Sequence, residues 1–381
     1  AAGGTIICTQ YLGQKNHEMA NKSARQALFI ITAISVFIVV LGLAFRAPLL
    51  SFIFGKVDAD VMENSMVYFF YTVLSYPFIA LYDAGASIFR AQENTRGPMV
   101  ISIISNVMNI VGNGILIWVF HMGVAGAAIS TLVSRIFCAV VVLYQLRKDR
   151  QPIVVRDYLK IRPDGKMIGR ILALGIPSGI ENSMFQLGKL AIQSTVSTLG
   201  TTAIAAQAMT NMLEMLNGTA VIGVGIGLMT VVGQSLGAGR KDEAVYYMKK
   251  LMIFSEVFLI ACCAVVYVLA RPITMIGGME AKSAEMCLDM MFWITIVKPI
   301  VWMFAFIPAY GMRAAGDVKF SMITSCITMW TFRFCLCVYL IRVCGMGPMA
   351  VWIGMFTDWT VRAIVFGLRF KSGKWMEHKV V

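Results

Sequence analysis

The strongest constraint on this chain is the length of its uncharged runs. Gln26 to Phe45 carries no charged residue, Asn64 to Phe89 is interrupted only by Asp83, and Gly97 to Ser134 holds no Asp, Glu, Lys or Arg. A helix needs about 20 mostly apolar residues to cross the hydrocarbon of a bilayer. Inside hydrocarbon the backbone must satisfy its own polar groups, which helices do within a single segment. Over the 381 residues, 58% are hydrophobic and 14% charged, whereas soluble domains carry about 25% charged residues. The expected fold class is therefore an all-α polytopic membrane protein.

The chain divides at glycine and proline turns. Residues 1–14 read as the tail of a helix. Further helices are expected near 26–45, 64–89, 98–120 and 124–147, the last two separated by His121-Met-Gly-Val-Ala-Gly126. Arg147 to Arg170 is the one long polar stretch, with eight basic and three acidic residues. Six more helices follow, near 167–199, 203–236, 246–270, 286–312, 319–343 and 347–370. Their expected breaks are Gly200, Gly237-Ala-Gly239, Arg271-Pro272 with Gly277-Gly278, Gly316, and Gly345-Met-Gly347-Pro348. One truncated helix and ten full ones, about eleven in all, are expected.

The two halves are copies of each other. Gln10-Tyr-Leu-Gly13 aligns with Gln234-Ser-Leu-Gly237 and Glu18 with Asp242, each at an offset of 224. Pro48 and Pro272 keep that offset, Arg90-Ala91 meets Arg313-Ala314 at 223, and Gly123 meets Gly345 at 222. So steady a register marks an internal repeat. Lysine and arginine fall in alternate loops: Lys15/Lys22/Arg25, Arg90/Arg96, the polar stretch, Arg240/Lys241, Arg313/Lys319 and the tail. By the positive-inside rule these loops face the cytoplasm. Both halves then have the same orientation, which gives two six-helix lobes related by a parallel pseudo-two-fold axis. The expected divisions are an N-terminal lobe 1–147, a cytoplasmic linker 148–166, a C-terminal lobe 167–370 and a cytoplasmic tail 371–381. Ala1 aligns with Gly225, so the repeat leads one to expect a further helix and a half ahead of residue 1.

Several function classes are excluded. The formal net charge of +13 is the basic bias of cytoplasmic loops rather than a nucleic-acid surface, since no soluble basic patch is interleaved with aromatics. The nine cysteines form no C-x-x-C, and with His17, His121 and His378 scattered, neither a metal site nor a disulfide framework is expected. No G-x-x-x-x-G-K-[ST] or H-E-x-x-H occurs, so ATP hydrolysis and zinc-dependent hydrolysis are not expected.

The segment Gly233-Gln-Ser-Leu-Gly237-Ala-Gly-Arg-Lys-Asp-Glu-Ala244, with its copy at Gln10-Tyr-Leu-Gly13, resembles the signature of the multidrug and toxic compound extrusion (MATE) family. Leu174-Gly-Ile-Pro177-Ser-Gly, Ala205-Ala-Gln207-Ala and Phe89-Arg-Ala-Gln-Glu-Asn-Thr-Arg-Gly-Pro98 support it. The resemblance covers essentially the whole chain. It implies twelve helices in two lobes, a multi-pass plasma-membrane protein working as a monomer, and export of organic cations and other amphipathic drugs in exchange for protons or sodium ions, with no cofactor. In one branch of the family a first-helix aspartate takes the proton, and that helix has no counterpart here. A sodium-linked branch uses acids on the helices matching 167–199 and 203–236 and an aspartate on the one matching 286–312; there this chain has Lys298-Pro299 instead.

The residues expected to carry such work form polar stripes. Ser178, Asn182, Gln186, Lys189 and Gln193 recur at spacings of four, four, three and four, with Glu181 beside them. Gln207, Asn211 and Glu214 do the same on the next helix, as do Asn106, Asn109 and Asn113 in the first half. Such a stripe faces protein or water rather than lipid. The substrate-cavity candidates are Asn182, Gln186, Lys189, Gln207, Asn211, Asn106 and Asn109; for the asparagines, plain interhelical hydrogen bonding explains the pattern as well. Intramembrane ionisable groups are costly and mark ion or substrate paths. Glu214, Glu181 and Asp83, in that order, are the candidates for ion coupling, while Arg333 and Asp358 are expected to pair structurally. Gln10, Gly13, Gln234 and Gly237 form a motif that acts either in gating or as a helix cap whose following glycine is left-handed. Pro77, Pro177 and Pro299 sit where bending would serve alternating access. The alternatives are a lipid or lipid-linked oligosaccharide flippase of the same superfamily, which would line its cavity with several arginines or lysines, and, more distantly, a membrane-embedded enzyme.

Overall fold

The computed structural model describes residues 2–54, 58–148, 151–156, 158, 161–378 and 380–381. Ala1 and the linker residues Asp149, Arg150, Asp157 and Lys160 lie outside the described residues. All regular secondary structure among the described residues is helical. The chain forms two compact units, Ala1–Gly175 and Ile176–Val381.

In the first unit, α1 (Ala2–Gly13) packs on α2 (His17–Ala44) and on α5 (Tyr76–Ala91). A short α3 (Arg46–Phe54) leads to α4 (Ala59–Leu74), and α6 (Arg96–Gly114) ends in a π-helical turn, Ile115–Val119. The helix α7 (Gly123–Leu146) packs against α4, α5 and α6. The α2 helix begins well before the uncharged run because Asn16 caps it, its side chain accepting from the Met19 amide at 3.1 Å; a capped amphipathic turn precedes the membrane span. Helices α4 and α5 form one membrane-length span interrupted at Ser75. Pro77 has no N–H to continue the ladder, and Arg135 of α7 donates to Ser75 Oγ at 2.5 Å inside the break.

The linker is fastened rather than loose. Ile153 and Val155 are fully buried. The backbone N–H groups of Ile153 and Val154 donate to Gln92 Oε1 at 2.9 Å and Asn21 Oδ1 at 2.7 Å. Asp164 opens α8 (Gly165–Val196) by accepting from the Lys166 and Met167 amides, and it pairs with Lys22 at 2.5 Å.

In the second unit, α8 leads through a 3₁₀ turn to α9 (Thr201–Gly237), followed by α10 (Lys241–Ile276) and α11 (Ala281–Ala314). Then come α12 (Val318–Thr328), a π-helical stretch Met329–Cys335, α13 (Leu336–Arg342) and α14 (Met349–Lys371). The α9 helix packs on α10 and α11, and α11 on α14. Their core includes Leu228, Val232, Met248, Trp302, Met303, Trp352 and Trp359. Glycine sets one of these approaches: a side chain at Gly225 would meet the Tyr310 ring at 2.7 Å. The break expected at Arg271-Pro272 with Gly277-Gly278 falls on the glycines: α10 runs through Pro272 to Ile276. A proline removes one backbone bond, and the turn that ends the helix uses Gly278, whose φ is +63°.

Nine helices among the described residues are long and apolar enough to cross a membrane. Helix α8 is not among them, because its polar stripe lowers its hydropathy, although it is 32 residues long.

The backbone repeats in the register read from the side chains. Left-handed residues occur at Lys15 and Gly239, at Glu93 and Gly316, and at Gly123 and Gly345, pairs whose offsets are 224, 223 and 222. The hydrogen bonds match as well. Lys15 N–H donates to Leu12 O and Asn16 N–H to Tyr11 O at 2.9 and 3.0 Å; Gly239 N–H donates to Leu236 O and Arg240 N–H to Ser235 O at 3.0 and 2.9 Å. These are helix-terminating turns with a left-handed residue. The cap is thus placed differently from the expectation: Gly13 and Gly237 stay helical, and the left-handed position is a lysine in the first copy.

Candidate functional site

The polar stripe of α8 has a physical purpose in the second unit. Asn182, Gln186 and Lys189 line a cavity of about 370 Å³ together with Glu181 and, from α9, Glu214. That volume falls in the roughly 300–1,000 Å³ range of small-molecule sites. From α11 come Trp302, Phe306, Tyr310 and Arg313; from the last helices come Arg333, Trp359 and Arg362. On α11 the 3.6-residue period brings them there, as at Trp302, Phe306 and Tyr310.

Both cavity carboxylates are ion-paired across helices. Lys298 of α11 lies 2.5 Å from Glu214 Oε1 and also donates to the Glu214 carbonyl at 3.0 Å. Gly218, one turn further along α9, lies beside that ammonium. Lys298 is fully buried, while the Glu214 side chain keeps 20% exposure. Arg313 donates to Glu181 Oε1 at 2.7 Å, and Ser321 reaches Oε2 at 3.5 Å. The two pairs tie α9 and α8 to α11.

A third cluster lies at the π-helical stretch. Arg333 and Arg362 share the carboxylate of Asp358, at 3.3 and 3.0 Å. Arg362 also donates to Ser325 Oγ and O at 3.1 and 3.2 Å. Gly354, one turn before Asp358, permits the approach, since a side chain there would meet the Arg333 carbonyl at 2.8 Å. The guanidiniums lie over aromatic rings: Arg362 is 4.8 Å from the Phe185 centroid and 5.2 Å from Phe306, and Arg333 is 5.7 Å from Phe185. Trp302 stacks on Phe306 with centroids 4.9 Å apart.

The other sequence candidates sit elsewhere. Gln207 is buried; its Oε1 accepts from Trp352 Nε1 at 3.1 Å, and its Nε2 donates to Asn211 Oδ1 at 3.3 Å. Neither Gln207 nor Asn211 lines the cavity. Asn109 of α6 donates to Thr131 Oγ1 of α7 at 3.2 Å and accepts from Asn113 at 3.2 Å, so these amides bridge two helices of the first unit. Asn106 and Asp83 are exposed residues of that unit. Gln10 is buried and Gln234 half-buried in the last turns of α1 and α9.

Two charged cavity residues were missed in the sequence, along with the aromatic lining. Arg362 follows Asp358 by one helical turn, and that i, i+4 spacing was the available signal. Arg313 was read as a loop residue, yet it sits in the last turn of α11 and turns inward. The balance of charge differs accordingly: four bases, Lys189, Arg313, Arg333 and Arg362, line the cavity against the acids Glu181 and Glu214.

The MatE family model matches residues 1–115 and 177–339. The probable multidrug resistance protein NorM of Thermotoga maritima is 25% identical over 393 aligned positions, covering 100% of this chain and 82% of that protein. The uncharacterized transporter YisQ of Bacillus subtilis is 26% identical, covering 99% of this chain and 83% of its own length. Among solved structures, a MOP superfamily transporter from Pyrococcus furiosus superposes with a TM-score of 0.90 at 17% identity, covering 99% of this chain and 84% of that one. An outward-facing MATE family transporter superposes with a TM-score of 0.89 at 18% identity, covering 98% and 84%.

Proposed function

Because the chain belongs to the MATE family, whose members are membrane transporters and not enzymes, we propose that it is a secondary active exporter of amphipathic small molecules. On this reading the substrate is held in the cavity of the second unit, and protons or sodium ions exchanged at Glu214 and Glu181 drive the cycle. The proposed setting is the plasma membrane, with linker, Q-x-L-G turns and C-terminus cytoplasmic and the chain acting as a monomer. The name "multidrug resistance protein" borne by relatives supports drug-like substrates.

One observation carries the coupling: each cavity carboxylate is half of an ion pair that ties its helix to α11. A proton or sodium ion on Glu214 competes with Lys298 for the same oxygen. Occupancy therefore loosens one arrangement of α8, α9 and α11 and favours another. An ion that binds two conformations unequally shifts their equilibrium by that difference, and substrate affinity shifts reciprocally.

The test is substrate movement in proteoliposomes under a pH gradient and a sodium gradient applied separately, for the parent protein, Glu214→Gln and Glu181→Gln. Gradient-driven movement is expected to collapse in at least one variant. Full gradient dependence in both would move the coupling assignment elsewhere, with Asp83 next.

A further inference from the structure

We propose that the cavity of the second unit selects amphiphiles with an anionic head, a carboxylate or phosphate on an apolar body. This rests on the reading of that cavity as the transport site. Three observations support it.

The first is charge. Counting the buried partners Lys298 and Asp358 with the lining residues, five cations (Lys189, Lys298, Arg313, Arg333, Arg362) face three carboxylates (Glu181, Glu214, Asp358). Glu214 and Glu181 are each neutralised by one partner, and Asp358 is shared between two guanidiniums. One arginine of that triad and Lys189 remain uncompensated; Lys189 makes no ion pair among the described residues. Uncompensated charge in a membrane domain is costly, and an anion relieves it.

The second is unused donors. Arg313 has a buried Nε–H without a hydrogen-bond partner, and Arg333, with a side chain only 6% exposed, meets Asp358 Oδ2 through its Nε at 3.3 Å without making a hydrogen bond. A guanidinium presents its donors as a planar fork matched to carboxylate or phosphate oxygens. The amides of Asn182 and Gln186 on the facing wall supply further adaptable contacts.

The third is the aromatic wall. A cationic drug would be held by ring faces, but Phe185 and Phe306 already carry Arg362. An incoming cation would compete with the protein's own guanidinium for those faces and meet a net positive field. An anion with an apolar body meets neither obstacle. A negative interior potential also helps its export, by about 2.3 kcal/mol per charge per 100 mV.

The test uses two dyes on the same xanthene frame, anionic fluorescein and cationic rhodamine 6G, with the full chain in detergent for binding and in liposomes for transport. A third arm follows transbilayer movement of a fluorescent short-chain phosphatidic acid, which distinguishes a lipid phosphate from a soluble organic anion. Expected is saturable binding of fluorescein or the phosphatidate at least ten-fold tighter than rhodamine 6G. Because Lys189 is exposed and its replacement spares the fold, Lys189→Gln should weaken the anion about five-fold and Lys189→Glu about twenty-five-fold. If rhodamine 6G is bound tighter and moved, whatever Lys189→Glu does to it, the anion inference falls while the transport reading stands. If no probe is moved under any gradient, both fall.

Discussion

Glu214 and Lys298 offer the sharpest test of how this unit is held together, because one partner is fully buried and the other lines the cavity. Glu214→Gln removes a charge and leaves the Lys298 ammonium with two neutral acceptors, the new amide oxygen and the carbonyl 3.0 Å away. Breaking a buried pair typically costs about 3–5 kcal/mol, and these remaining acceptors put the present case near 3. Lys298→Met strands a carboxylate that keeps 20% exposure and can draw water from the cavity, so about 2 kcal/mol is expected. In the double variant no charge is stranded, and Met fills much of the lysine's space; stability within about 1 kcal/mol of the parent is expected. At about 2–4 °C per kcal/mol for a unit of this size, Glu214→Gln should melt about 6–12 °C below the parent, and the double variant within about 4 °C of it. Tryptophan fluorescence during heating in detergent micelles reads this directly. Losses that simply add in the double variant would refute the coupling, and with it the idea that ion exchange at Glu214 releases α9 from α11.

The matched turns give a paired prediction: Lys15→Gly should raise stability by about 0.5–1 kcal/mol, because only glycine takes a left-handed conformation without strain, and Gly239→Ala should lower it by about 1–2 kcal/mol; melting of both variants checks the signs. Asp164 is held below the usual carboxylate range by its hydrogen bond to Lys22 and by the Met167 amide. A depressed pKa adds stability above the unfolded value of about 3.9 and loses it as pH falls through the folded value. Asp164→Asn should therefore melt below the parent at neutral pH, and the two melting curves should converge as pH drops below about 4; a constant gap down to pH 2 would contradict this. Gln207→Leu should cost about 1–3 kcal/mol by leaving the fully buried Trp352 indole N–H without its acceptor, measurable as a lower midpoint in the same melts.

How far the sequence could be read follows from the range of each interaction. The span order and the repeat were legible because they rest on local physics: hydrocarbon demands long apolar helices, and a helix end needs a particular backbone turn. The offsets linking Gln10 to Gln234 and Gly123 to Gly345 reappear in the φ angles of Lys15 and Gly239 and of Gly123 and Gly345. The α8 stripe was legible for the same reason, since a spacing of three and four puts Asn182, Gln186 and Lys189 on one face whatever surrounds them. The identical argument on α9 did not separate Glu214, which reaches the cavity, from Gln207, which bonds to Trp352 of α14. Periodicity gives the face of a helix but not what packs against it.

Charge balance shows that difference most clearly. Reading helix by helix, acids and amides dominate the second unit, because Arg313 lies near a turn and Arg362 follows Asp358 by one turn on its own helix. Folding changes the sum in two ways. It turns Arg313 inward onto Glu181 and Lys298 onto Glu214, so the two acids that suggested a cationic ligand are already neutralised. It also closes α14 on the π-helical stretch at Gly354, bringing Arg333 and Arg362 to one Asp358. The pairings of Glu214, Glu181 and Arg333 join residues far apart in the chain, and the last needs the absence of a side chain at Gly354. On the proposed reading of this cavity as the transport site, what it prefers is decided by the charge left after pairing, and that remainder is positive.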